Sequence, residues 1–229
     1  MSNRKPVEIH DDTPLVRHVA DLEEDAALDI VRRRLEEGDD PLAIIYECDR
    51  GMRIIGRRYQ EGEYYIAALI MAGEIFRQVV ELVKPRLKVE VTEEPTGTVL
   101  LGTVEGDIHD IGKDVLAMLA ACHGFVVHDL GVDVRPSRFV EATVKHKPDI
   151  VGLSGLLTSA YYSMQETVAA LRDATEDWDT RPILVIGGGR IDEDVCRYVG
   201  ADYWTLDAME GVELFLRLMK EDDDEGGGG

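Results

Sequence analysis

Asp107 and His109 stand two residues apart in the stretch Gly106-Asp107-Ile108-His109-Asp110-Ile111-Gly112-Lys113. Alternate residues of an extended loop project to the same side, so the Asp107 carboxylate can accept the proton on one ring nitrogen of His109 and leave the other nitrogen free for a metal. An isolated Asp-x-His is more often a turn-forming acid beside a surface histidine, so the reading depends on what else lies near it. Two later segments have the same kind of setting. Ser154-Gly155-Leu156 closes the apolar run Ile150-Val151-Gly152-Leu153, and Gly187-Gly188-Gly189 follows Ile183-Leu184-Val185-Ile186. A zinc site is argued against because His109 has no second Cys or His at ligand spacing. A G-x-G-x-x-G after the first strand and a G-x-x-x-x-G-K-[ST] motif are both missing, which argues against dinucleotides and nucleoside triphosphates.

The elements that must position these residues follow from periodicity. From residue 98 short apolar runs alternate with helical patterns: strands are predicted at 98–104, 125–130, 149–154, 182–187 and 202–205, and helices at 111–123, 136–145, 161–174, 192–199 and 211–220. Such alternation implies a parallel sheet with helices on both faces. Five strands suit the flavodoxin-like, Rossmann-like order 2-1-3-4-5, in which strands one, three and four are neighbours. The three candidate segments lie at the carboxyl ends of those strands, where open α/β sheets bind ligands.

Residues 1–87 read differently, as an all-α helical-bundle domain. Leu22, Ala26, Ile30, Val31 and Leu35 recur at helical spacing across about 13–37, predicting one amphipathic helix. Asp40-Pro41 is a helix start, and Gly51 and Gly56 are expected to limit the helix that follows. The segment 64–83 is apolar on most of its circumference, which predicts a helix buried on several sides. Residues 88–97 read as a linker, 98–221 as the α/β domain, and 222–229 as a flexible acidic and glycine-rich tail.

The pattern D-x-H-x-x-G, S-x-L, G-G in Asp107–Gly112, Ser154–Leu156 and Gly187–Gly188 resembles the signature of the cobalamin-binding corrinoid proteins of methyltransferase systems, those serving methylamines, methanol, betaines and O-demethylation. It is also similar to the cap and cobalamin-binding domains of methionine synthase. The resemblance covers roughly residues 20–220. It implies cobalamin as cofactor, with His109 as the lower ligand of cobalt and Asp107 as its hydrogen-bond partner. Gly112 would permit close approach of cofactor and helix, Ser154, Leu156 and Thr158 would line the channel for the nucleotide tail, and Gly187 and Gly188 would let a strand end come against the nucleotide. Gly106, Asp110 and Ile111 are further candidates for loop contacts. In methionine synthase a serine completes the Asp-His relay; the matching residue here is Ala160, which leaves Ser159 or a water as the third member. The segments around Gly51–Gly56, Tyr59 and Glu61–Ile66 resemble the helical cap, with Tyr59, Ile66 and Leu69 as candidates to cover the upper corrin face; the same three residues read equally well as ordinary bundle core.

By that resemblance the chain is a corrinoid carrier. It would accept a methyl group on Co(I) from a substrate-specific methyltransferase and its small donor, and deliver it to a second methyltransferase for transfer to a thiol or tetrahydrofolate. A reductive activase is a third implied partner. A cobalamin-dependent sensor is the alternative, but such relatives carry a tryptophan and a Glu-His pair in the bundle, and here both tryptophans, Trp178 and Trp204, fall in the α/β half. A mutase subunit would lack the helical bundle. Composition agrees with these expectations: 25 Lys+Arg against 46 Asp+Glu give a net charge of −21, which repels nucleic-acid phosphate. Cys48, Cys122 and Cys196 are widely spaced without a C-x-x-C pair, and no apolar run reaches transmembrane length, so free thiols, a cytoplasmic location and no membrane partner are expected.

Overall fold

Thr13 starts the first helix, α1 (Pro14–Ala20), with its hydroxyl accepting from Val16 N–H and Pro14 supplying a preset φ. Next come α2 (Glu24–Glu37), closed by Gly38 in the left-handed region, α3 (Pro41–Gln60), capped by the Asp40 carboxylate on Leu42 N–H, and α4 (Ile66–Val83). The computed structural model describes residues 13–87 and 95–226, with side chains to residue 220. The chain divides between residues 88 and 89 into two units. Most of the expected linker, 88–94, and residues 1–12 and 227–229 lie outside the described residues.

Three expectations for the first unit are corrected. The single helix expected over 13–37 is two helices that turn a corner at Asp21–Glu23, where Leu22 adopts φ 59°. Long-range contacts hold that corner: Arg58 donates to Ala20 O and to Asp21, both at 2.8 Å, and Tyr64 OH donates to Ala20 O. A periodic apolar pattern persists across such a bend and does not reveal it. Gly51 and Gly56 do not end α3, which runs through both. A Cβ on Gly51 would fall 2.6 Å from the Val19 side chain, so this glycine allows α1 and α3 to touch. Finally, α4 is not buried on several sides. Its core stripe is Ala72, Ile75, Phe76, Val79 and Val83, whereas Ile66, Ile70 and Met71 are exposed, as are Tyr59 and Tyr65 beside it; Leu69 is half-buried.

The second unit contains, in chain order, β1 (Gly97–Thr103), α5 (Ile111–Cys122), β2 (Phe125–Asp129), α6 (Pro136–His146), β3 (Ile150–Ser154), α7 (Ala160–Ala174), β4 (Ile183–Gly187), α8 (Glu193–Val199), β5 (Tyr203–Thr205) and α9 (Ala208–Gly226). All pairings are parallel and the order is β2-β1-β3-β4-β5, the flavodoxin-like order that the strand count predicts. Strand alternation divides the core between the two faces. Leu100, Val151, Leu153 and Ile186 pack with Phe139, Met164 and Leu171 on one side. Val99, Leu101, Ile150 and Val185 pack with Phe215 and Leu218 on the other. The last helix is longer at both ends than the expected 211–220. It takes in residues 222–226 of the expected tail, because no Pro or Gly interrupts the backbone ladder between Gly211 and Gly226. Cys48, Cys122 and Cys196 are buried and form no disulfide. Among the described residues no helix is long and apolar enough to cross a membrane.

Candidate functional site

In-register pairing brings the three signature segments together, because Thr103 at the end of β1 lies beside Ser154 at the end of β3, and Ser154 beside Gly187 at the end of β4. Beyond these positions the loops interlock. Val104 N–H donates to Ser154 O, and Gly155 N–H donates to Gly187 O. The Gly106–Gly112 segment forms the loop between β1 and α5 and the first turn of that helix. Leu156 and Thr158 lie in the exposed loop before α7, and Gly188 follows β4.

Asp107 is the fixed point of this cluster. It is 0% exposed, an unusual place for a lone carboxylate, and four donors converge on it. Leu156 and Leu157 N–H donate to Oδ2 at 2.7 and 3.0 Å, and His109 N–H donates to Oδ1 at 3.0 Å. The fourth contact is His109 Nδ1, 2.6 Å from Oδ1. Burial by itself pushes the Asp107 carboxyl up, but the Leu157 amide, the His109 ring and the amides of His109 and Leu156 more than offset it, so its pKa lies below the ordinary carboxylate value. An ionised carboxylate only accepts, so Nδ1 carries a ring proton, and Nε2 is the nitrogen whose lone pair a metal can take. The His109 side chain is 48% exposed, so that lone pair sits on a reachable ring held by a buried acid. This is how proteins orient an imidazole as a metal ligand.

Main-chain amides and the His109 ring, and not Ser159, bond Asp107. None of the four bonds to Asp107 comes from Ser159, which is exposed, and Ala160 is buried. Leu157 thus joins the site through its amide, a role that leaves no mark on side-chain identity. Thr103 was also not singled out; its hydroxyl donates to His109 O at 3.0 Å. Lys113 is buried with its ammonium 2.5 Å from Asp114 and 2.6 Å from Asp129, which ties the start of α5 to the end of β2. Burial lowers its pKa, and the two carboxylates outweigh this and hold it raised.

The glycines fall into two kinds. A Cβ at Gly112 or Gly106 would meet no protein atom within 4 Å, and one at Gly187 would make ordinary contact with Thr205. Gly188 is different: a Cβ there would lie 2.0 Å from Gly155 O. Around His109 the loop surface is apolar, with Ile108 71% exposed and Ile111, Leu156 and Leu157 also exposed. Asp110 is exposed beside them and its backbone oxygen accepts from Asp114 N–H. Tyr59, Ile66 and Leu69 belong to the first unit, where they form part of the apolar surface beside and on α4.

Residues 97–213 match the B12 binding domain family, and residues 13–84 match a second family of the same description. The trimethylamine corrinoid protein 1 of Methanosarcina acetivorans is 31% identical over 196 residues, 85% of this chain and 90% of that protein. The solved structure of the Methanosarcina barkeri monomethylamine corrinoid protein aligns with a TM-score of 0.78 at 25% identity, covering 89% of this chain and 96% of that one. The methanol:cobalamin methyltransferase complex MtaBC from Methanosarcina barkeri contains a chain that aligns with a TM-score of 0.50 at 25% identity, over 90% of this chain and 78% of that one. Likeness that runs through both units, in sequence and in fold, makes this chain a member of the cobalamin-binding corrinoid proteins of methyltransferase systems.

Proposed function

We propose that this chain is a methyl carrier, taking a methyl group from a donor-specific methyltransferase and handing it to a second methyltransferase that serves a thiol or tetrahydrofolate acceptor. The donor class we favour is a methylamine or methanol, the substrates in the names of the relatives. A reductive activase would restore carrier that has been oxidised. When bound, the corrin supplies the cobalt centre that takes up and gives up the methyl group.

The observation that carries this reading is the Asp107–His109 pair, with a buried, ionised acid fixing an exposed imidazole whose outer nitrogen is free. His109 is the residue we assign as lower ligand. The open positions at Gly106 and Gly112, and Gly187 with only Thr205 beside it, offer backbone against which a flat macrocycle or its nucleotide can lie. Exposed Ile111, Leu156 and Thr158, the end of β3 at Ser154, and Asp110 form the rest of the assigned cofactor contacts, with Gly188 keeping the loop closed behind them. In the helical unit, Tyr59, Ile66 and Leu69 are assigned to cover the reactive face. Their support is that they are not sealed in the bundle core, so apolar surface remains for an apolar partner.

The test is reconstitution with hydroxocobalamin, removal of free cofactor, and comparison of wild type with His109→Ala. Wild type is expected to retain corrin with nitrogen-ligated cobalt, and the variant to lose that ligation while staying folded at a cost of about 1–2 kcal/mol for the lost ring bond to Asp107. An identical spectrum in both proteins refutes the ligand assignment. Failure of loaded wild type to exchange methyl groups with any methylamine or methanol methyltransferase argues against the carrier reading. Gly112→Ala separates cofactor from fold. The apoprotein should be unchanged or stabilised by up to about 1 kcal/mol, because alanine is the better helix residue. Corrin retention should weaken by about tenfold if the macrocycle occupies that space. Equal retention, measured by equilibrium dialysis, would remove Gly112 from the site.

A further inference from the structure

The β1–α5 loop does not stand alone. The loop between β2 and α6 is laid along its back: Thr103 N–H donates to Gly131 O, Val134 N–H donates to Thr103 O, and Val104 and Val134 form a single parallel bridge. At the centre of this seam is Asp133. Its carboxylate Oδ1 accepts from Gly106 N–H at 2.8 Å, and its own N–H donates to Asp107 O at 3.0 Å. One residue therefore grips the Gly106–Asp107 segment at both ends.

Two conformational facts show that this grip is specific. Asp133 adopts φ 53°, a region that costs a residue with a Cβ and is tolerated best by Asp, Asn and Gly. Gly106 is also left-handed, at φ 83°, and it is the residue whose N–H the Asp133 carboxylate holds. A charged acceptor for a main-chain donor is among the stronger hydrogen bonds. The far side of Asp107 is held by Val104 O, which accepts from its N–H, and by the Leu156 and Leu157 amides on its carboxylate. The acid that orients His109 is thus fixed from two sides by two different loops.

The geometry points to Asp133 as a positioning residue for the metal ligand, acting through the Gly106–Asp107 backbone on the Asp107–His109 pair. It makes no contact with the imidazole itself; it sets where the Asp107 carboxylate stands and so how the His109 ring is aimed. The inference rests on the assignment of His109 as lower ligand.

The test uses the full chain loaded with cobalamin. The cobalt is reduced to Co(II), and the fraction of nitrogen-ligated metal is read from absorption and from nitrogen hyperfine splitting in electron paramagnetic resonance. Asp133→Gly keeps the left-handed backbone and deletes the acceptor; Asp133→Asn keeps both an acceptor oxygen and tolerance of that backbone. The ratio of ligated to unligated cobalt should fall about fivefold in the glycine variant, as expected when part of the worth of one hydrogen bond to a charged acceptor is passed on to the ligand, and the asparagine variant should recover most of it. A role in stability alone would lower the unfolding midpoint and leave that ratio unchanged, and this outcome overturns the inference. Equal loss in both variants overturns it as well. Should the glycine variant fail to fold, amide hydrogen exchange at Gly106 and Asp133 in wild type decides: protection of both supports the clamp, and exchange at the rate of an open loop refutes it. His109→Ala is the control for the reading beneath. If His109→Ala keeps nitrogen ligation, the ligand assignment has failed; if it loses ligation and Asp133→Gly does not, only the role of Asp133 has failed.

Discussion

Asp107→Ala is expected to lower stability by about 2–4 kcal/mol at neutral pH, since it strips the acceptor from the Leu156 and Leu157 amides and leaves donors in a partly buried place without partners. The loss combines two effects. Hydrogen bonds to a charged acceptor disappear, and the loop ends of β1 and β3 lose the group that joins them. Asp107→Asn should cost roughly half as much, because its amide oxygen still accepts while its NH2 group faces a donor. Urea unfolding of the three apoproteins measures the series.

The pH dependence has a defined sign. The Asp107 carboxyl is held below its ordinary value of 3.8, so the folded protein binds the proton less readily than the unfolded chain does. Its contribution is therefore fully present above the unfolded pKa and is lost as pH falls through the folded one. The stability gap between wild type and Asp107→Ala should shrink as pH falls below about 4. A gap that widened below about pH 4 would mean that the carboxyl is not ionised in the fold. With corrin bound, the alanine variant should also lose much of its nitrogen ligation, since partners of metal-bound histidines are worth about 10–100-fold in metal affinity.

The second large effect is expected at Gly188. A methyl group there would sit 2.0 Å from Gly155 O and 3.0 Å from Gly155 C, at φ 154°. Gly155 has little freedom to retreat. Its N–H is bonded to Gly187 O, and the space where its own Cβ would be is already taken by Met164 at 2.7 Å and Ala160 at 3.0 Å. Relief requires β3 and β4 to separate at their carboxyl ends, in a core packed without slack. Gly188→Ala should cost more than about 3 kcal/mol or fail to fold, among the larger effects of single substitutions. Gly187→Ala is the contrast, because its Cβ would make an ordinary 3.4 Å contact with Thr205. It should retain near wild-type stability, so that any weakening of corrin retention reports on the cofactor. Equal unfolding midpoints for Gly188→Ala and wild type, from the same denaturation series, would refute the account of the close approach.

Local order was legible where a local signal carries it. Apolar runs of strand length marked β1 to β5 within a residue or so, and their alternation with helices set the parallel order. The Asp107–His109 spacing, the Ser154 segment and the glycines after β4 could be read as one site, because a fixed strand order puts those strand ends side by side. Helix corners and exposed faces were not legible. The bend at Leu22 depends on Arg58 and Tyr64 reaching back from distant positions, and the continuity of α3 through Gly51 depends on Val19 lying against it.

The sequence by itself determined the family, the order of elements and the residues with ligand chemistry, because composition, period and motif are properties of neighbours along the chain. Only the tertiary structure decided what holds that chemistry in place. The donors to Asp107 from Leu156 and Leu157 are main-chain groups that any residue type supplies, and Asp133 reaches Gly106 across 27 residues. It also divided the glycines, leaving open space beside Gly112 and pressing Gly188 against Gly155. Every glycine looks alike in a sequence, and its reason is found in the atoms that the fold brings to it.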